Sequence, residues 1–214
     1  MPERPNAVIL YGDGDTRDNY KNLIGGLEDM GVNVLHLNMD WRVDYQNPNK
    51  FGSRYCAKQV HEQVGDKPVN ILIGHSYGAL TVFQYAADLV ESGKPPEQIV
   101  FLSRSACAAE DLEGDEKDDK AVKKYMDKYD GEIPAGLLAV KIRPLAARIR
   151  KGVKSDQISV LVGEREPSTM QRAAKKTAEL FGISEPIVVE ESDHDMDQYP
   201  IYVARTLQEV KRRL

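Results

Sequence analysis

What constrains this chain most is an alternation of pattern. Six short apolar runs recur along its 214 residues, at 7–11 (AVILY), 32–37 (VNVLHL), 69–73 (VNILI), 99–102, 158–162 and 187–189, and most are separated by segments with helical spacing. A strand that is apolar at nearly every position, rather than at every second one, is buried on both faces. Such strands belong to parallel sheets with helices packed above and below. Right-handed crossovers between parallel strands then leave few arrangements open. The expected architecture is a three-layer α/β/α sandwich around a mostly parallel six-stranded sheet.

The helical segments carry matching signals. Residues 16–30 place Leu23, Leu27 and Met30 on one face, and Gly31 closes the segment as a C-cap. Asp15 or Thr16 is its expected N-cap. Further helices are expected over 53–64, over 77–91 with a stop at Ser92-Gly93, and over 201–214 with Val203, Leu207 and Val210 inward. The alternation fails over 107–157. That stretch opens charge-dense (EDLEGDEKDDK at 110–120) and then carries Leu138, Ile142, Leu145 and Ile149 at helical spacing, with Pro144 set to kink or break the helix. We read it as an excursion packing on the top of the sheet. Its basic residues, Lys141, Arg143, Arg148, Arg150, Lys151 and Lys154, read as a solvated face, paired with the acids around 113–119. With no internal repeat and no low-complexity linker, residues 1–214 read as one domain.

Composition narrows the partners. The 29 Lys plus Arg against 34 Asp plus Glu leave a net charge of −5, which provides no overall field for nucleic acid or an anionic membrane. Cys56 and Cys107 match no metal spacing and read as thiols in a reducing compartment. No run reaches the length of a membrane span, and the N-terminal residues lack the pattern of a signal peptide. A cytoplasmic protein with no stable membrane association is the expectation; oligomeric state is not legible.

The chemistry is concentrated in Gly74-His75-Ser76-Tyr77-Gly78, a G-x-S-x-G sequence between an apolar run and an Ala-rich helical segment. A sharp strand-to-helix turn lifts a serine hydroxyl clear of the sheet, and glycines on either side let neighbouring backbone pass close. The helix that follows points its first N–H groups at any oxyanion formed there.

With this motif in place, the chain resembles the α/β-hydrolase superfamily over nearly all its length, in a minimal version lacking the two N-terminal antiparallel strands. The resemblance implies a sheet order of 2-1-3-4-5-6 and a cap or lid-like insertion at 107–157. It also implies Ser76 as nucleophile and His194 as base, in the loop Ser192-Asp193-His194-Asp195 after the last strand. Of the other histidines, His36 is mid-strand, His61 mid-helix, and His75 is the elbow's variable residue. Asp193, Asp195 and Asp197 would favour a charged imidazole if close to it. The acid is implied in Gly163-Glu164-Arg165-Glu166, where Glu166 is favoured and Glu164 competes. The N–H of Tyr77 is the implied first oxyanion donor. Asp13 stands where the second is expected, in Tyr11-Gly12-Asp13-Gly14, although a carboxylate is unwelcome there unless it points away. Tyr11, Trp41, Tyr45 and Tyr77 are candidates to line the substrate pocket.

The implied reaction is hydrolysis of a small-molecule carboxylic ester or thioester, with no cofactor and no metal. A catalytically silent binding module of the same fold is the rival reading. A triad hydrolase acting on an amide or carbon–carbon bond is the third.

Overall fold

A computed structural model of the protein describes residues 4–12, 15–39, 52–104, 106, 108, 111 and 141–214. Its strands are β1 (Asn6–Leu10), β2 (Asn33–Leu35), β3 (Ile71–His75), β4 (Gln98–Leu102), β5 (Ile158–Gly163) and β6 (Ile187–Val189). They form one six-stranded sheet in the order β2-β1-β3-β4-β5-β6, and every pairing is parallel. This is the expected order. The described helices are α1 (Lys21–Asp29), α2 (Gly52–Val64), α3 (Tyr77–Glu91), α4 (Ile142–Ile149), α5 (Ser168–Leu180) and α6 (Pro200–Lys211).

Side-chain alternation along each strand divides the core in two. Val8 and Leu10 of β1, with Leu72, Ile99, Phe101 and Val160, pack on the side covered by α2, α3, α4 and α5. Ala7 and Ile9, with Ile71, Ile73, Val100 and Leu161, face the side covered by α1 and α6. On the first side Phe83, Phe101 and Phe181 stack as a triangle with ring centroids 4.7–5.8 Å apart. Central strands buried on both sides explain why the runs are apolar without interruption.

Element ends follow local chemistry, with two differences from the sequence pattern. Gly31 and Gly93 take positive φ (81° and 74°) just past α1 and α3, the left-handed conformation that closes a helix. The expected helix over 16–30 is divided into a 3₁₀ turn, Arg17–Tyr20, and α1. Thr16 caps that turn, its N–H donating to Asn19 Oδ1 at 2.9 Å. The run at 32–37 shortens to β2, because it is an edge strand whose register with β1 ends at Val8↔Leu35.

Of the excursion at 107–157, the described end is α4. It lies in the flanking layer against α3, with Ile142, Leu145, Ala146 and Ile149 buried in the core. Pro144 is the third residue of α4, within the first turn, where its missing N–H has no intrahelical partner to lose. Arg148 pairs with Asp88 and Glu91 on α3; the acids at 113–119 expected to meet the basic face lie outside the described residues. At the other end Arg104, wholly buried, makes a two-pronged pair with Asp111, both N–O distances 2.7 Å. No helix among the described residues is long and apolar enough to cross a membrane.

If α4 is a structural layer helix, truncating its inward face must cost core energy. Ile149→Ala should lower unfolding free energy by about 2–5 kcal/mol, whereas Val188→Ser, on a residue 54% exposed, should stay within about 0.5 kcal/mol. Urea denaturation of both variants checks this.

Candidate active site

Ser76 sits between β3 and α3 with φ 51° and ψ −114°, a backbone conformation that non-glycine residues rarely adopt. Three features hold it there. Its N–H donates to the Leu102 carbonyl at 3.0 Å. A Cβ at Gly74 would overlap Val82 and the backbone of Ala79, and one at Gly78 would overlap the carbonyls of Leu10 and Tyr11. Only a residue without a Cβ lets α3 begin so close to the end of β1.

His194 follows β6, and its Nε2 lies 2.8 Å from Ser76 Oγ. Behind the imidazole, Glu166 Oε2 faces His194 Nδ1 at 3.5 Å. Among the described residues neither of these two buried atoms has another hydrogen-bond partner. Catalytic contacts of this kind are often long before substrate arrives. The other carboxylate oxygen, Oε1, accepts from the Gly163 N–H at 2.8 Å and from the Ser103 hydroxyl. Glu164, the competing acid, is turned elsewhere: its Oε2 accepts from the Glu191 N–H at 2.9 Å.

The loops carrying Glu166 and His194 are zipped together by main chain. Glu164 N–H donates to the Val189 carbonyl at 2.9 Å and Arg165 N–H to the Ser192 carbonyl at 2.8 Å. A Cβ on Gly163 would strike the carbonyls of Ser192 and Asp193. The aspartates around His194 have their own structural partners. Asp193 accepts from the Tyr199 hydroxyl (2.7 Å) and the Asp195 N–H (3.0 Å). These bonds hold its carboxyl below the usual range, the Tyr199 hydroxyl contributing most. Asp197 accepts from the N–H groups of Asn22 and Leu23 at the start of α1. Among the described residues no group of three metal-binding side chains comes together.

Two expected site residues, Asp13 and Trp41, lie outside the described residues, as does Tyr45. Tyr77 is the first residue of α3, immediately after Ser76. Tyr11 departs from expectation. Rather than lining an open pocket it is 5% exposed, stacked on Tyr20 with centroids 4.6 Å apart, because the side-chain alternation of β1 carries it into the core under α1. That burial also pushes its hydroxyl pKa up.

A family model described as the alpha/beta hydrolase fold matches residues 36–182. The chain belongs to the α/β-hydrolase family. No curated protein matches its sequence. Solved structures resemble it at fold level. An α/β-hydrolase enzyme from a sediment metagenome of the Mar Chica lagoon, Morocco, superposes with a TM-score of 0.70 at 16% identity, over 98% of this chain and 91% of that one. The RedJ thioesterase of prodiginine biosynthesis in Streptomyces coelicolor gives 0.61 at 17% identity, over 98% and 90%. A structure from work on carboxylesterases of the thaumarchaeon Nitrososphaera gargenis gives 0.65 at 17%, over 98% and 92%.

In this α/β-hydrolase the sequence pattern did not single out two supports of the Glu166 carboxylate. Ser103, at the end of β4 with φ 44°, donates to Glu166. Tyr202 of α6, fully buried, lies with its hydroxyl 2.7 Å from Ser103 Oγ. Ser103 has one hydroxyl hydrogen, and a carboxylate only accepts. Tyr202 therefore donates to Ser103, and Ser103 donates to Glu166. Burial, then the nearby Glu166 charge, raises the Tyr202 pKa and keeps it a donor. The signal available in the sequence was Ser103-Arg104-Ser105, the loop after β4 where some family members place the acid itself.

Gly78→Ala should destabilise the fold by about 1–3 kcal/mol through overpacking, measured by urea denaturation, since the new methyl meets two strand carbonyls. Ser103→Ala should cost about 1–3 kcal/mol by removing a donor from a buried acceptor, and the same denaturation series reads it.

Proposed function

We propose that the protein is a serine hydrolase that cleaves a carboxylic ester or thioester through an acyl-enzyme on Ser76. The observation that carries this reading is the alignment of Ser76 Oγ, His194 and Glu166, with Nε2 2.8 Å from the hydroxyl and the carboxylate facing Nδ1. His194 accepts the Ser76 proton through Nε2 as Oγ attacks the acyl carbon, forming the tetrahedral intermediate. Glu166 holds the Nδ1–H tautomer and stabilises the imidazolium. Collapse of the intermediate breaks the bond to the leaving alcohol or thiol, which takes the proton from His194. Water then attacks the acyl-enzyme, with His194 again as base, and releases the acid.

The first oxyanion donor is the Tyr77 N–H, at the N-terminus of α3. The second comes from the turn after β1. Gly12 N–H is already committed to the Tyr20 hydroxyl at 3.1 Å, which favours Asp13 as the donor. The related structures named for esterase or thioesterase work support acyl hydrolysis as the reaction class. The substrate is a small molecule, the location cytoplasmic, and neither nucleic acid nor a stable membrane contact is part of the proposal.

The test is hydrolysis of a p-nitrophenyl ester series from short to long acyl chains. Ser76→Ala should lower kcat by about 10⁴-fold or more, and Glu166→Gln by about 10³–10⁴-fold. A fluorophosphonate should add its mass to Ser76 in the wild type and not in Ser76→Ala. Equal turnover by wild type and Ser76→Ala on every ester would overturn the reading in favour of a binding module.

A further inference from the structure

The elbow's second side chain is engaged as closely as its nucleophile. His75 is 3% exposed, and its Nε2 lies 2.9 Å from the backbone carbonyl of His194. A carbonyl only accepts, so Nε2 carries the hydrogen and donates it. Two adjacent residues thus grip the base from two directions. Ser76 meets the ring of His194 at Nε2, while His75 meets its main chain. The two imidazoles lie 4.8 Å apart, centroid to centroid.

The other nitrogen of His75 leads to the opposite wall of the site. Nδ1 lies 2.5 Å from the Tyr20 hydroxyl, whose single hydrogen is shared between Nδ1 and Asp15 Oδ2, 2.6 Å away, and whose oxygen accepts from the Gly12 N–H at 3.1 Å. Gly12 and Asp15 are the two ends of the turn after β1, closed by an Asp15 N–H to Gly12 carbonyl bond of 3.2 Å. Burial raises the Asp15 pKa, but the contacts with His75 and Tyr20 more than offset it, so its carboxyl is held below the usual range. Tyr20 is 1% exposed, and burial followed by the bond to Asp15 raises its pKa. Its ring is held independently by stacking on Tyr11.

We propose that Tyr20 and His75 are positioning residues for the reaction at Ser76, joining the turn after β1 to the loop of His194 through one chain of hydrogen bonds. That turn is where the second oxyanion donor is proposed, and that loop carries the base. Oxyanion stabilisation and proton transfer both depend on sub-ångström placement. A single tyrosine hydroxyl connects the two walls, and the nucleophile's own neighbour completes the link. This inference rests on the serine-hydrolase reading for its catalytic consequence, but the linkage itself is open to a direct structural test.

The decisive variant is Tyr20→Phe, which removes the hydroxyl and keeps the ring stacked. Three readings are taken on the full-length protein: thermal melting, kcat and KM on the best p-nitrophenyl ester, and histidine-ring ¹H–¹⁵N correlations by NMR. The expected result is a folded protein whose His194 ring resonances move. Its kcat falls by about 10–100-fold with KM changed by less than about twofold, the signature of misplaced groups rather than lost ground-state binding. His75→Gln, which retains an N–H near the Nε2 position, should keep more of kcat than His75→Ala. This variant is also read if Tyr20→Phe does not fold. A folded Tyr20→Phe with unmoved His194 resonances and kcat within about twofold of wild type overturns the proposal. If the wild type itself shows no Ser76-dependent turnover, the esterase reading fails separately. The NMR readings then decide the linkage alone, unmoved His194 signals overturning it and shifted ones supporting it.

Discussion

The catalytic end depends on how closely helix α3 approaches strand β1. At Gly78 the first turn of the helix lies against the carbonyls of Leu10 and Tyr11, leaving no room for a side chain. That approach places the N-terminus of α3, the positive end of the helix dipole, next to the end of β1. It also leaves the chain too little length to pass smoothly from strand to helix, so Ser76 takes up the difference with a positive φ. The strained serine and the placement of the helix end are two results of one packing contact. The sheet order makes that contact available, because β1 and β3 are immediate neighbours, paired from Ala7↔Ile71 to Leu10↔Gly74.

A second constraint acts two strands away. Glu166 reaches the His194 imidazole from beyond the end of β5, and its carboxylate sits where water does not reach. A carboxylate in such a place needs donors, and two reach it, the Gly163 N–H of β5 and the Ser103 hydroxyl after β4, the latter held in turn by the Tyr202 hydroxyl of α6. With Oε1 occupied by these donors, Oε2 is left for the imidazole alone. The orientation of the Glu166 carboxylate is therefore set by hydrogen-bond supply on its far side, and only indirectly by His194.

The sequence pattern carried the fold well for a physical reason. Strands buried on both faces must be apolar at nearly every position, so their number and places stand out, and parallel pairing leaves little freedom of order. Helix ends marked by Gly31 and Gly93 were equally plain. The meeting of Ser76 and His194 was legible because a strand-turn-serine-turn-helix pattern and a histidine after the last strand occur together. Tyr202 was not, since a tyrosine on the inner face of a helix reads as core whether or not its hydroxyl has work to do, and its partner Ser103 is distant in sequence. His75 looked like a variable position within its motif. Only the fold brings the His194 carbonyl to it across 119 positions. Tyr11 failed as a pocket residue because a single step of strand alternation decides which side of the sheet a ring occupies.

The buried pair of Arg104 and Asp111 has a bearing on how such a protein can change. Arg104 follows β4 directly and is fastened to Asp111, to Thr177 and to the Ala173 carbonyl of α5. Breaking one member of a buried pair costs about 3–5 kcal/mol, so the chain is anchored firmly at this point. It is anchored again where Ile142 enters the core at the start of α4. Both anchors are made by contacts that involve none of Ser76, His194 and Glu166. The frame is thus riveted at Arg104 and at Ile142 independently of the residues proposed for catalysis, so the fastening of this layer and the geometry at Ser76 can be altered separately.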